Sequence, residues 1–142
     1  MIELIVKSLK SIQSDLDSII LDAVKQNEAE IIDLNIEQLE NGLNNDSSQI
    51  APAYTTTTIQ IKRLKGQPTN RVTLKNEGDF HNSIFIAYGS DRFALGSTDI
   101  KTKKLKKKYG FKVLGLTDDS IQETIELIKP DLRDSIKKKL FE

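Results

Sequence analysis

The chain has no cysteine and no tryptophan, and only one histidine and three prolines in 142 residues. Without cysteine there are no disulfides and no thiolate metal ligands, a composition compatible with a reducing cytoplasm. With His81 as the lone imidazole, a zinc site would need three or more carboxylates around it, which is not how such sites are built. Aromatic residues make up 6% of the chain, so isoleucine and leucine must do most of the packing. No stretch approaches the roughly 20 apolar residues of a membrane span. The first residues, Met1 to Lys7, lack the basic segment and long apolar run expected of a secretory signal. What remains, 37% hydrophobic and 30% charged, fits one soluble domain spanning 1–142.

Formal net charge is zero, yet the charge is sorted along the chain. Residues 1–50 carry three Lys against ten Asp and Glu, a net of −7, and residues 51–75 carry five basic side chains and no acidic one. Residues 76–100 have a net of −3, and residues 101–142 have twelve basic against seven acidic side chains, a net of +5. Two arrangements satisfy this sorting. Copies can attract one another head to tail, or the acidic N-terminal part can pack beside the basic C-terminal part of the same chain.

Ile2, Ile5, Leu9, Ile12, Leu16, Ile19 and Ala23 alternate three and four apart, which predicts a helix from about residue 2 to residue 27. Leu4, Val6, Ile20 and Val24 widen its apolar face beyond a coiled-coil seam, so it reads as a core helix of its own chain or of a ring neighbour. Asn35 as cap, Gln38 at the capping-box position and Gly42 as terminator predict a second helix, with Ile36 and Leu39 inward. Residues 43–70 read as a long, partly extended and flexible connection. Val72 and Leu74 open a sheet. Ser83–Tyr88 and Arg92–Ser97 form a hairpin around Gly89-Ser-Asp91. A basic helix runs from Asp99 to Tyr109 with Gly110 as its stop, and Phe111–Leu114 returns as a strand. Asp118 or Asp119 opens a C-terminal helix with Ile121, Ile125 and Ile128 inward, and Pro130 begins a further segment carrying Leu132, Ile136 and Leu140. The fold class is therefore α+β, with long N-terminal and C-terminal helices packed on a small, mainly antiparallel sheet.

Candidate chemistry is sparse. Asp79, His81 and Ser83 hold the residue types of a catalytic triad, but residues two apart on a strand sit roughly 7 Å from each other, too far for a proton relay. Asp46 with Asn44, Asn45 and Ser48 lacks the spacing of a calcium loop and reads as an Asx-rich turn. No phosphate-binding loop, dinucleotide fingerprint or nucleophile elbow is present, so no enzymatic activity, cofactor or metal is expected. The sharpest cluster is Lys101, Lys103, Lys104, Lys106, Lys107 and Lys108. A helix carrying it can lay ammonium groups along phosphates or against an acidic partner, but with no arginine or aromatic platform it would read no bases. A non-specific nucleic-acid-binding module is one reading of this cluster, and a solvated helix face is the other. Lys137-Lys-Lys139 suits the negative end of the last helix.

Leu74, Gly78, Phe80 and Ser83 form a Leu-x-x-x-Gly-x-Phe-x-x-Ser segment that precedes two β-like runs and, later, Tyr109-Gly110 and Gly115-Leu116. This pattern resembles the phage tail-completion and head-tail joining proteins. Glu77 stands where that family usually has threonine. Leu34-Asn-Ile-Glu-Gln-Leu39 and Ser97-Thr-Asp-Ile-Lys101 are similar to segments of phage and prophage proteins of Bacteroidetes-type bacteria, and the likeness covers about residues 30–120. The resemblance implies a structural virion protein that forms part of a ring at the portal/tail junction. Its implied partners are copies of itself and neighbouring portal, connector or tail proteins, with non-specific DNA contact through the lysines and no membrane. Its implied location is the virion, and the bacterial host cytoplasm during assembly.

Overall fold

The computed structural model of the protein describes residues 1–141. In chain order the elements are α1 (Ile2–Ser14), α2 (Leu16–Gln26), α3 (Glu28–Glu40), α4 (Thr56–Leu64), the short helical turn α5 (Asp79–Asn82), β1 (Ile84–Tyr88), β2 (Phe93–Ser97), α6 (Thr102–Tyr109), a 3₁₀ turn (Phe111–Val113) and α7 (Asp118–Phe141). The architecture is α+β, as expected, with α2, α3 and α7 gathered on one antiparallel hairpin and α1 set against α7.

The N-terminal stripe does not make one helix. It breaks at Asp15, whose carboxylate meets Lys139 of α7 at 3.3 Å, and again at Asn27. Asp and Asn are poor helix-interior residues because their short polar side chains compete for local partners. Asn27 donates to the Ala23 carbonyl at 2.8 Å and to Asp131 at 2.7 Å, which ties the α2–α3 corner to α7.

Helix α3 starts at Glu28 rather than at Asn35, and Asn35 and Gln38 lie inside it on the buried stripe with Ile31 and Leu39. The expected stop is where the glycine puts it. Gly42 has a φ of +74°, its N–H donates to the Leu39 carbonyl, and Leu43 N–H donates to the Gln38 carbonyl, both at 2.9 Å.

Residues 43–70 are less extended than their threonines suggest. Thr55 caps α4 by accepting from Thr58 N–H at 3.3 Å, and a cap of this kind outweighs the modest β preference of threonine. Val72 and Leu74 are buried but belong to no strand. The hairpin forms in the expected place, with Ile84 opposite Ser97, Ile86 opposite Leu95 and Tyr88 opposite Phe93. It is the whole sheet among the described residues, where three or more strands were expected, because Phe111–Val113 winds into a 3₁₀ turn after Gly110.

Helix α7 runs unbroken through Pro130, at which a new segment was expected. Ile128 before it and Leu132 after it both pack into the core, which holds the helix together across the missing N–H. The inward residues are Ser120, Thr124 and Ile128, while Ile121 and Ile125 are exposed. Thr117 explains the shift: its Oγ1 caps Ser120 N–H at 3.1 Å, and Thr124 donates to the Ser120 carbonyl at 2.9 Å. A hydrogen-bonded polar row thereby faces inward.

Two apolar clusters make the core. One gathers Leu39, Ile50, Val72, Leu74, Phe80, Ile84, Val113 and Leu114, and the other gathers Ala23, Val24, Ile31, Ile86 and Ile128. Helix α3 and strand β1 contribute to both, so they form the spine on which the other elements are placed.

Candidate functional site

The four motif residues are core and turn residues. Leu74 and Phe80 are buried in the first cluster. Gly78 adopts φ +91° at the start of α5 and its carbonyl accepts from Asn82 N–H at 2.9 Å, a conformation that favours glycine. Ser83 Oγ donates to the Phe80 carbonyl at 2.9 Å and lies 2.5 Å from Ser97 Oγ on β2. Thr102 Oγ1, in the first turn of α6, is 3.1 Å from the same Ser97 hydroxyl. This row of hydroxyls fastens the motif, the hairpin and the lysine helix into one block.

Leu74 and Phe80 also share a cleft of about 170 Å³ with Lys101, Leu105 and Tyr109. Part of the motif and one end of the lysine cluster are thus brought together. Lys62, on α4, is buried at the edge of the same cleft. Its ammonium donates to the Lys75 carbonyl at 2.7 Å and to Gln67 at 3.2 Å, and stands 4.7 Å from the centre of the Tyr54 ring. In the sequence Lys62 falls within the polar connection 43–70. Only its helical spacing from Ile59, on a short helix that was not anticipated, marks it as inward.

Helix α6 turns Leu105 and Tyr109 to the core, which aims Lys103, Lys104, Lys107 and Lys108 outward. Lys106 folds back toward the Phe111 ring at 5.8 Å, and Lys108 lies 5.3 Å from the Tyr109 ring. Among the described residues, none of the six lysines pairs with a carboxylate. Their charge is left facing solvent.

The triad residue types do not converge. His81 is buried and its Nε2–H donates to the Thr73 carbonyl at 2.7 Å, while its Nδ1 has no partner. Burial holds its pKa below the ordinary histidine value, against the pull of the Thr73 carbonyl toward the charged form. Asp46 is a latch. Its carboxylate takes the Lys112 ammonium at 2.8 Å and Ser48 N–H at 3.0 Å, and these contacts hold its pKa well below the usual carboxylate range. Asn45 N–H donates to the Lys112 carbonyl at 2.7 Å beside it. Among the described residues, no group of three or more His, Asp or Glu is arranged to hold a metal ion, and no helix is long and apolar enough to cross a membrane.

Two features escaped the sequence. The first is a polar clamp. Asn35 Oδ1 accepts from Gly115 N–H at 2.9 Å, Gln38 Oε1 accepts from Thr117 N–H at 2.9 Å, and Gln38 Nε2 donates to the Gly115 carbonyl at 2.8 Å. The second is the bare face of α1, where Ile2, Ile5, Val6 and Leu9 are between 43% and 78% exposed and only Ile12 is buried. Comparison of the chain with family models, with curated proteins and with solved structures finds no match.

Proposed function

We propose that this chain is a structural phage virion protein acting in tail completion or head-tail joining, one subunit of a ring at the portal/tail junction. The observation that carries the reading is the bare strip on α1. Ile2, Ile5, Val6 and Leu9 fall on one side of the helix, uncharged and uncovered. A contiguous apolar face of this kind marks a surface built to be covered by another chain. Covering the apolar area still open there is worth about 25 cal/mol per Å². The residues Leu74, Gly78, Phe80 and Ser83 add the family likeness, and the sorted charge adds a means of orienting repeated copies.

A second reading is favoured by the four outward, unpaired lysines of α6: a non-specific nucleic-acid-binding module. One experiment separates the two. Mass in solution is measured by light scattering over a concentration series, at low and high salt, with and without duplex DNA. The assembly reading expects species heavier than the 16.0 kDa chain without DNA. A monomer under every condition overturns it, and a monomer that shifts only with DNA replaces it with the second reading.

A further inference from the structure

A groove of about 640 Å³ runs between α3 and α7. Its floor is Leu34 and Leu127, and its banks are Glu30 and Asp33 on α3 and Glu123 and Glu126 on α7. All four carboxylates are exposed, and among the described residues only Glu126 has a cationic partner, Lys129 at 2.6 Å. On each bank the two acids are three residues apart, so they project side by side. Helix α6 carries the converse arrangement. Lys103 with Lys107 and Lys104 with Lys108 make two parallel rows four residues apart, all exposed and without carboxylate partners among the described residues.

We propose that the α3–α7 groove is the seat for the lysine helix α6 of a second copy of this chain. The inference rests on the assembly reading and names the contact that orients it. Two rows of ammonium groups match two banks of carboxylates, and the lysine stems are apolar enough to lie on Leu34 and Leu127 while their heads reach the acids. The acids and the lysines do not neutralise each other inside one molecule, so both charges are available to a neighbour. Groove and helix are different surfaces, which makes the contact heterologous: each copy offers a helix to one neighbour and a groove to the next, and the chain of contacts closes into a ring or extends as a filament. Like-charged faces cannot meet in this arrangement, which fixes the direction of assembly.

The test is charge reversal of each surface. Glu30→Lys, Asp33→Lys, Glu123→Lys and Glu126→Lys together reverse the groove, and Lys103→Glu, Lys104→Glu, Lys107→Glu and Lys108→Glu together reverse the helix; all eight sites are exposed, and a cooperative melting transition confirms folding. Each reversal is expected to weaken self-association by roughly tenfold or more in low salt. The variant carrying all eight changes is expected to associate again, as is a mixture of the two reversed proteins. High salt should weaken this contact and spare an apolar one through α1. If either reversal leaves association unchanged, or the doubly reversed variant fails to restore it, the proposed seat is wrong while the assembly reading stands. If the wild-type chain is monomeric at high concentration and low salt, both are wrong. If the helix reversal abolishes duplex DNA binding and leaves association untouched, α6 is a nucleic-acid surface and the proposal fails.

Discussion

Helices α1 and α3 are each thirteen residues long, yet α1 buries one residue and α3 buries four. Amphipathicity would rank them the other way. The apolar stripe of α1 is regular and free of charge, whereas the buried stripe of α3 includes Asn35 and Gln38. What separates them is the surroundings. Helix α3 lies between two core clusters and against the loop 113–117, so both its leucine and its amides find partners. Helix α1 packs on α7 and α2 and leaves one side open. An apolar stripe states that a helix will be covered without saying by which chain, and a polar side chain becomes core when backbone groups arrive to meet it.

The comparison breaks most visibly at Leu39, which is fully buried in α3. Leu39→Ala is expected to lower unfolding stability by about 2–5 kcal/mol, read as a drop in the urea midpoint with an unchanged slope. A loss under about 1 kcal/mol would mean that α3 is not the spine of the core. Gln38→Ala comes next. It leaves Thr117 N–H and the Gly115 carbonyl without their partners, at a cost of about 1–3 kcal/mol in the same assay. A neutral outcome would show that water replaces the amide and that the clamp does not hold the 113–117 loop.

The clamp also shows where the sequence stopped being legible. Asn35 and Gln38 fit the local rule for a helix start, and nothing near them in sequence reveals that residues 113–117 will arrive nearly eighty positions later. The same contact displaces the inward face of α7 by one residue, because Thr117 and Ser120 turn their hydroxyls to the capping network where Ile121 was expected to lead. Thr55–Thr58 misled in the other direction: β-branched residues suggested extension, while the cap they supply begins a helix. Features with a strictly local cause were readable. The hairpin around Gly89, the helix stop at Gly42 and the outward aim of the α6 lysines each depend on residues within one or two turns. The motif glycine Gly78 opens a turn, and its neighbours Leu74, Phe80 and Ser83 are packing and hydrogen-bonding residues of that turn.

His81 sharpens the comparison from the side of protonation. Its neutral ring is buried with Nδ1 unpartnered, so charging it in the folded state is unfavourable. Because the native pKa lies below the unfolded value of about 6.5, the unfolded chain binds the proton first. Stability from this group is complete above pH 6.5, falls as the pH drops through that value, and levels off below the native pKa. The urea midpoint should therefore fall between pH 7 and pH 5 in the wild type and fall less in His81→Gln. Equal slopes for the two proteins would show that another group governs the acid limb.

The smallest expected effect on folding is the one that tests the open side of α1. Leu9 is half exposed and belongs to neither core cluster, so Leu9→Ser should change the unfolding free energy of dilute monomer by no more than about 0.5 kcal/mol. Its counterpart in α3, Leu39→Ser, should fail outright, which is the asymmetry between the two helices expressed in one substitution type. If the strip on α1 is covered in the assembly, the same Leu9→Ser change should weaken self-association at high salt, where charged contacts are screened and the apolar one is left. A large loss of monomer stability would instead mean that α1 is already covered by its own chain in solution. An unchanged association constant would move the assembly contact off α1 and onto the charged surfaces of α3, α6 and α7.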